Sequence, residues 1–544
     1  MVGAIDTKGM RKKVQKQQLV IVWFKRDLRL HDHAPLLAAC ETGYPVLPLY
    51  LVEPDYWAQE MHSRRHWAFL HDCLHELRAD LATLGQPLIV RQAEAVDALA
   101  TLAEKFEIKA LFAHEETGNA WTYARDMAVA QWCRDAQIDF HEMPCNGVVR
   151  RLKNRDAWAR MRQQRMALPV LEKPAALKPL SDMTPDMDLG DIPSPDDALF
   201  GAPLMGEVQK GGRREAVQLL TSFLTERSQQ YLACLSAPGL SEDYASRLSA
   251  HLAWGSLSVK EVVQAVAAFR EKSPPSNPYH QRSLSAFQSR LSWRCHFIQK
   301  LEDQTELETQ CMHSFFEGMR EPEHNEAFFQ AWKDGLTGYP FIDACMRNLK
   351  QKGWITFRMR AMLVSFASYH LWLDWRVTGK FLAQLFTDYE PGIHYSQLQM
   401  QSGVTGINSL RIYNPHKQAQ DHDPNGSFIR QWVPELREVD NAFIHEPSLM
   451  DMAQQKACGV VIGQDYPAPI VTHLDAVRAA RAKIAAIRQQ PGFREEAQAV
   501  FQKLGSRKKP TRRRAQSAKS RSQKTAKASG KTKNTQQLSL FEPK

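Results

Sequence analysis

Five short apolar runs fall within the first 145 residues: Leu19–Phe24, Val46–Val52, Leu88–Arg91, Ala110–Ala113 and Ile138–His141. Segments of helical spacing separate them. In Met61–Leu84, for example, Trp67, Leu70, Leu74, Leu77 and Leu81 recur every three or four residues. Strands alternating with helices predict a parallel sheet covered on both faces, with its ligand crevice beyond the strand C-termini. Neither a Gly-x-Gly-x-x-Gly turn nor a P-loop is present, so a Rossmann dinucleotide site is not supported. After a Pro- and charge-rich connector, Arg150–Met205, the period is helical from Arg213 to about Gln490. The expected fold is an α/β N-terminal domain with a parallel sheet (residues 18–149), a connector (150–212) and an all-α C-terminal domain (213–497). A basic extension (1–17) precedes these and a tail (505–544) follows them.

The composition, 43% hydrophobic and 24% charged, supports large cores and excludes global disorder. No stretch approaches eighteen apolar residues, and only a six-residue apolar run follows the basic N-terminus, so a cytoplasmic location is expected. The nine cysteines form no CxxC pair, and neither a disulfide scaffold nor a metal site is expected. The net charge of +10 is concentrated in Gly505–Thr535, which holds twelve Lys or Arg and no acidic residue. That segment lacks Leu, Ile, Val, Met and every aromatic, so disorder and salt-sensitive phosphate binding are expected there.

Small hydroxyl residues stand just before apolar helical patterns at Ser246-Arg247-Leu248-Ser249 and at Gly255-Ser256-Leu257-Ser258. Such residues cap helices, and the same N–H groups and hydroxyls at a positive helix end also bind phosphate. After Gly353-Trp354, if the chain is helical, Arg358, Met362 and Ser365 share one face, and Arg360, Leu363 and Val364 another. A guanidinium on a largely apolar helix needs an anion or carbonyl partner, whether in a structural ion pair or from a ligand. Asp374, Asp388 and Glu390 are candidates.

Taken in order, these segments resemble one family. Val22-Trp23-Phe24-Lys25-Arg26-Asp27-Leu28-Arg29-Leu30-His31-Asp32 is similar to the opening of the cryptochrome/photolyase family. Ser246–Ser249, Trp293-Arg294, Thr337–Ala344, Gly353-Trp354 with Arg358 and Arg360, Asp374-Trp375-Arg376, Arg411–Pro415 and Phe428–Leu436 follow in family order, over roughly residues 18 to 475. The resemblance implies an N-terminal domain that can hold an antenna chromophore, a folate or deazaflavin, and a helical domain that binds FAD in a folded form. His114, Glu115, Glu116 and Asn119 lie where an antenna would sit, without the folate-contact pattern.

On this resemblance Ser246, Arg247, Leu248 and Ser249 match the segment that holds the FAD phosphates, and Tyr231 matches a tyrosine upstream, at a longer spacing. Arg294, Arg358 and Arg360 are the flavin-domain arginines. Arg360 pairs with Asp388 beside the isoalloxazine, and Glu390 occupies a second acidic position. Trp293 matches the tryptophan that stacks on a flipped-out dimer, and Trp354 lines the same cavity. His394 falls opposite flavin N5, where its charge is expected to be poised near neutral pH. Trp375 keeps the middle place of the family's electron-hopping tryptophan chain.

Several positions depart from the family pattern. Arg290 stands where a lesion-binding glutamate is common, and Phe357 stands where an asparagine faces substrate. The flavin-proximal and outermost hopping positions fall on Leu398 and near Phe316, with Trp354, Trp372, Tyr395 and Tyr413 available instead. Residues 353–361 contain no histidine, so (6-4) chemistry in its usual form is not supported. Cys295, Cys311, Cys345 and Cys458 are too scattered for an iron–sulfur cluster. The ending Gln537-Leu538-Ser539-Leu540-Phe541 resembles the peptide that docks on the bacterial DNA-polymerase sliding clamp.

The expected activity is FAD-dependent, blue-light-driven repair of pyrimidine dimers by a monomeric, nucleoid-associated enzyme working on DNA. A cryptochrome-like photoreceptor is the alternative, and a DNA-bound flavoprotein without photochemistry is a third reading.

Overall fold

The computed structural model describes residues 16–180, 188–273 and 277–506. The basic N-terminal extension up to residue 15, the basic tail from residue 507 and the clamp-like peptide lie outside them.

The first half forms five strands: β1 (Gln18–Phe24), β2 (Val46–Val52), β3 (Ile89–Gln92), β4 (Glu107–His114) and β5 (Asp139–Met143). All pairs are parallel, in the order β3-β2-β1-β4-β5. Each apolar run became a strand. β4 begins three residues before its apolar run, because Gln18 pairs with Glu107 through the backbone, which does not require an apolar side chain. Alternation along β1 feeds two cores. Val20, Val22 and Phe24 pack with Trp67, Leu70 and Leu74 of α1 (Arg64–Thr83), and Leu19, Ile21 and Trp23 pack on the opposite face with Leu99 and Val129. Each such side chain contributes about 1.5–3 kcal/mol on burial.

The connector is not merely a loop. It carries α2 (Trp158–Ala167), and the Leu189 carbonyl accepts the N–H of Val90 on edge strand β3 at 2.8 Å. Gly190 is required there: its φ is +71°, and a Cβ would stand 1.9 Å from the Val90 carbonyl oxygen.

The helical half includes α3 (Ser249–Trp254), α4 (Val259–Lys272), α5 (Pro278–Asp303), α6 (Pro340–Lys352), α7 (Phe357–Ser365), α8 (Trp375–Leu385), α9 (Pro391–Ser402) and α10 (Phe493–Leu504). α10 carries the fold past the expected boundary at 497, because Leu504 is fully buried. None of the described helices is long and apolar enough to cross a membrane.

Strand order reverses between β1 and β4, and the residues after these strands meet at that point. The buried Asp27 carboxylate receives His114 Nδ1 at 2.7 Å and faces His33 Nε2 at 3.0 Å. The Leu36 N–H donates to His33 Nδ1, so the His33 ring proton sits on Nε2 and points at Asp27. Among the described residues this is the group whose potential metal-ligand atoms converge, with both imidazoles turned to the one Asp27 carboxylate. The adjoining crevice has a volume of only about 40 Å³. Glu116 there is tied to Arg125, which also holds Glu53 at 2.7 Å and Asp126 at 2.8 Å.

Arg26, just past β1, reaches into the helical half. Its Nε donates to the Ala253 carbonyl at 3.0 Å, its Nη2 donates to the Tyr389 carbonyl at 2.7 Å, and its plane lies over Trp254. Gly255, at φ +81°, allows this approach, since a Cβ would meet the Arg26 carbonyl oxygen at 2.1 Å.

Candidate functional site

A cavity of about 320 Å³ opens into the helical half, walled by α3, α5, α7, α9 and the loop between α8 and α9. The Ser246–Ser249 segment enters it through a strained turn. Arg247 has φ +58°, a left-handed conformation that costs a non-glycine residue about 1–2 kcal/mol. The serines here do not cap α3, where Leu248 occupies the cap position; the Ser249 hydroxyl bonds to Asp388 instead. At Ser258 the capping reading holds: its hydroxyl accepts the Glu261 N–H at 3.0 Å, and Glu261 accepts the Ser258 N–H at 2.9 Å.

Arg360 makes a two-pronged ion pair with Asp388, at 2.9 and 3.0 Å, and its Nε donates to the Ile355 carbonyl at 2.9 Å. Burial alone would raise the Asp388 pKa, but Arg360 and the Ser249 hydroxyl hold it below the ordinary carboxylate range. Arg294 bonds Glu390 at 2.7 Å and the Leu252 carbonyl at 2.7 Å. The mouth carries two cation–aromatic stacks, Arg247 over Trp354 at 4.2 Å and Arg290 over Trp293 at 4.9 Å. The Tyr231 hydroxyl bonds Arg290, and Phe357 is 38% exposed beside them.

The cavity thus brings together Tyr231, Ser246, Arg247, Leu248, Ser249, Trp293, Arg294, Trp354, Arg360, Asp388, Glu390 and His394. Arg358 is not among its walls. Two residues advance a helix by about 200°, so Arg358 and Arg360 face opposite ways. Arg358 donates instead to Ser236 Oγ at 2.8 Å. Trp375 is also absent from the wall, fully buried in the core with its ring 6.5 Å from that of Tyr395. His394 lies in the first turns of α9, and its Nε2 donates to the Gly379 carbonyl at 2.9 Å. Burial pushes its pKa down to about 4, so the ring is neutral at pH 7, contrary to the expectation of a charge poised near neutrality. Leu398 lines the cavity and Phe316 is buried in the core.

The sequence reading missed Tyr389, Gln397 and Gln401, which also line the cavity. The glutamines did leave a signal: they sit four residues apart on a helix that is otherwise shut away from solvent.

Residues 287–486 match the model of the FAD binding domain of DNA photolyase, and residues 20–155 match the DNA photolyase model. The chain belongs to the DNA photolyase/cryptochrome family. It is 30% identical over 452 residues to the deoxyribodipyrimidine photo-lyase of Vibrio cholerae, covering 78% of this chain and 92% of that one. To cryptochrome DASH of Gloeobacter violaceus it is 28% identical over 475 residues, covering 83% and 93%. Its fold superposes on a bacterial class III photolyase from Agrobacterium tumefaciens with a TM-score of 0.75 at 27% identity, covering 88% of this chain and all of that one.

The cavity wall suits a flavin dinucleotide. Arg247 Nη1, Gln397 Nε2 and Gln401 Oε1 are buried there without a hydrogen-bond partner, which is costly unless a ligand completes them. They supply one cationic donor, one neutral donor and one acceptor, while most of the remaining wall is apolar.

Proposed function

We propose that the protein is a light-driven DNA repair enzyme that restores pyrimidine dimers. The observation that carries this reading is a single cavity with an ion-paired floor, Arg360 with Asp388, and a mouth flanked by Trp293 and Trp354. When bound, reduced FAD would supply the photoexcited electron that splits the dimer. Arg247 and the Ser246–Ser249 backbone would hold its pyrophosphate, and Arg360, oriented by Asp388, would favour a negative charge on its ring. Neutral His394 would keep the far side of the ring uncharged. Trp293 and Trp354 would stack against a flipped-out pyrimidine dimer, and the apolar wall would exclude water from the transfer.

Arg290, Phe357 and Leu398 favour a second reading, a blue-light photoreceptor, because they replace lesion contacts and the flavin-proximal hopping position. One assay separates the two: chemically reduced protein is mixed with a thymine-dimer oligonucleotide and illuminated with blue light. Repair restores intact thymines above the dark control; no restoration excludes the repair reading and favours the receptor.

Two partners complete the proposal. The basic segment Gly505–Thr535 would hold DNA phosphates, and Gln537–Phe541 would dock on a bacterial sliding clamp, bringing a monomeric enzyme to replicating DNA in the cytoplasm. An antenna chromophore, a folate or deazaflavin, would show as a second absorbance band in the purified protein.

A further inference from the structure

The cavity wall contains a pair of buried phenols. Tyr389, in the loop before α9, lines the cavity and is 1% exposed. Its hydroxyl donates to the hydroxyl of Tyr395, on α9, across 3.3 Å. Tyr395 is also buried, and its hydroxyl bonds the carboxylate of Glu308. Glu308 Oε2 accepts the Ala120 N–H at 2.8 Å, which ties the end of the relay to the N-terminal domain. Cavity, phenol, phenol and carboxylate therefore form one hydrogen-bonded line with a proton acceptor at its far end.

We propose that Tyr389, backed by Tyr395 and Glu308, is the electron donor that photoreduces the flavin in this cavity, with its proton leaving along that line. The inference rests on the flavin reading of the cavity. Leu398, also on the wall, is aliphatic and cannot carry an oxidised intermediate, so a donor is needed elsewhere on the wall. A buried phenol loses an electron readily only if its proton has somewhere to go, because a charged radical in an apolar wall is costly. Burial pushes the pKa of both tyrosines up, so both start as neutral phenols. In the step, Tyr389 gives one electron to the photoexcited ring and its O–H bond breaks. That proton passes to the Tyr395 oxygen as the Tyr395 proton passes to the Glu308 carboxylate. Tyr389 ends as a neutral phenoxyl radical, Glu308 as a carboxylic acid, and the flavin as the one-electron-reduced partner. An external thiol then returns an electron, and the protons run back.

The test uses the full-length holoprotein with its flavin oxidised, under anaerobic blue light with added thiol. Loss of the oxidised flavin band is followed in water and in deuterium oxide. Tyr389→Phe and Tyr395→Phe keep the packing and remove one hydroxyl each; flavin content and thermal melting establish that they fold. The expected result is photoreduction slowed several-fold in Tyr389→Phe. Wild type should also show a solvent isotope effect that disappears in Tyr395→Phe, and a transient phenoxyl signal that is absent from Tyr389→Phe. Wild-type rate and wild-type isotope effect in both variants would overturn the proposal, as would Trp375→Phe alone abolishing photoreduction. A wild-type protein that holds no flavin would overturn the reading of the cavity itself, an outcome distinct from either.

Discussion

Replacing Asp388 with asparagine (Asp388→Asn) removes the negative charge from the Arg360 pair while preserving its shape. Arg360 has two bonds to the carboxylate, and asparagine can accept one of them. Removing one member of a fully buried ion pair costs about 3–5 kcal/mol, because the other charge is stranded. The Arg360 side chain is 21% exposed and keeps the Ile355 carbonyl, so the cost falls below that range, to about 2–3 kcal/mol. For a domain of this size that corresponds to a drop of roughly 3–5 °C in Tm.

The pH dependence gives a second check. Asp388 has a folded-state pKa below its unfolded value, so the pair stabilises fully above the unfolded value of about 4. That contribution disappears as the pH falls through the lower, folded value. Urea denaturation of wild type and Asp388→Asn at a series of pH values should show a gap at neutral pH that closes below about pH 4. A gap smaller than about 0.5 kcal/mol at pH 7, within the noise of an ordinary surface change, would refute the assignment of this pair as a structural and ring-holding element.

Other outcomes follow from the same geometry. His394 has a folded pKa of about 4, below its unfolded value of about 6.5. The unfolded chain therefore takes up the proton first, and stability should decline between these two pH values by up to about 1.4 kcal/mol per unit. His394→Gln should flatten that decline in urea titrations at pH 7.5 and pH 5. Gly255→Ala places a Cβ against the Arg26 carbonyl at a left-handed φ, so it should destabilise the junction by about 2 kcal/mol or more, read as faster limited proteolysis between the two halves. Deleting Gln537–Phe541 should abolish sliding-clamp binding in a pull-down while leaving the flavin absorbance unchanged.

The strands of the N-terminal half were legible because Leu19–Phe24 and Val46–Val52 are short, continuous apolar runs between helical stretches, the pattern of a strand buried on both faces. The Arg360–Asp388 pair was not legible from spacing: twenty-eight residues separate its members, and only the order of family motifs joined them. Helical spacing already set Arg358 and Arg360 on different faces; only the family motif grouped both with the cofactor, and Arg358 turns to Ser236 instead. Trp375 matched a hopping position by order, yet nothing in the chain shows that α8 carries its ring into the core. Tyr389 and Arg26 meet only when the two halves dock, through a bond spanning 363 residues, which no local pattern records.

The backbone of Leu189 and Gly190 lies along β3, the outermost strand of the sheet on that side. A strand at that position otherwise presents a row of unsatisfied amides to any passing chain. Cleavage of the connector near Gly190 would therefore do more than cut a linker. It would uncover an adhesive rim, and the nicked protein should self-associate through that rim long before its helical half comes apart.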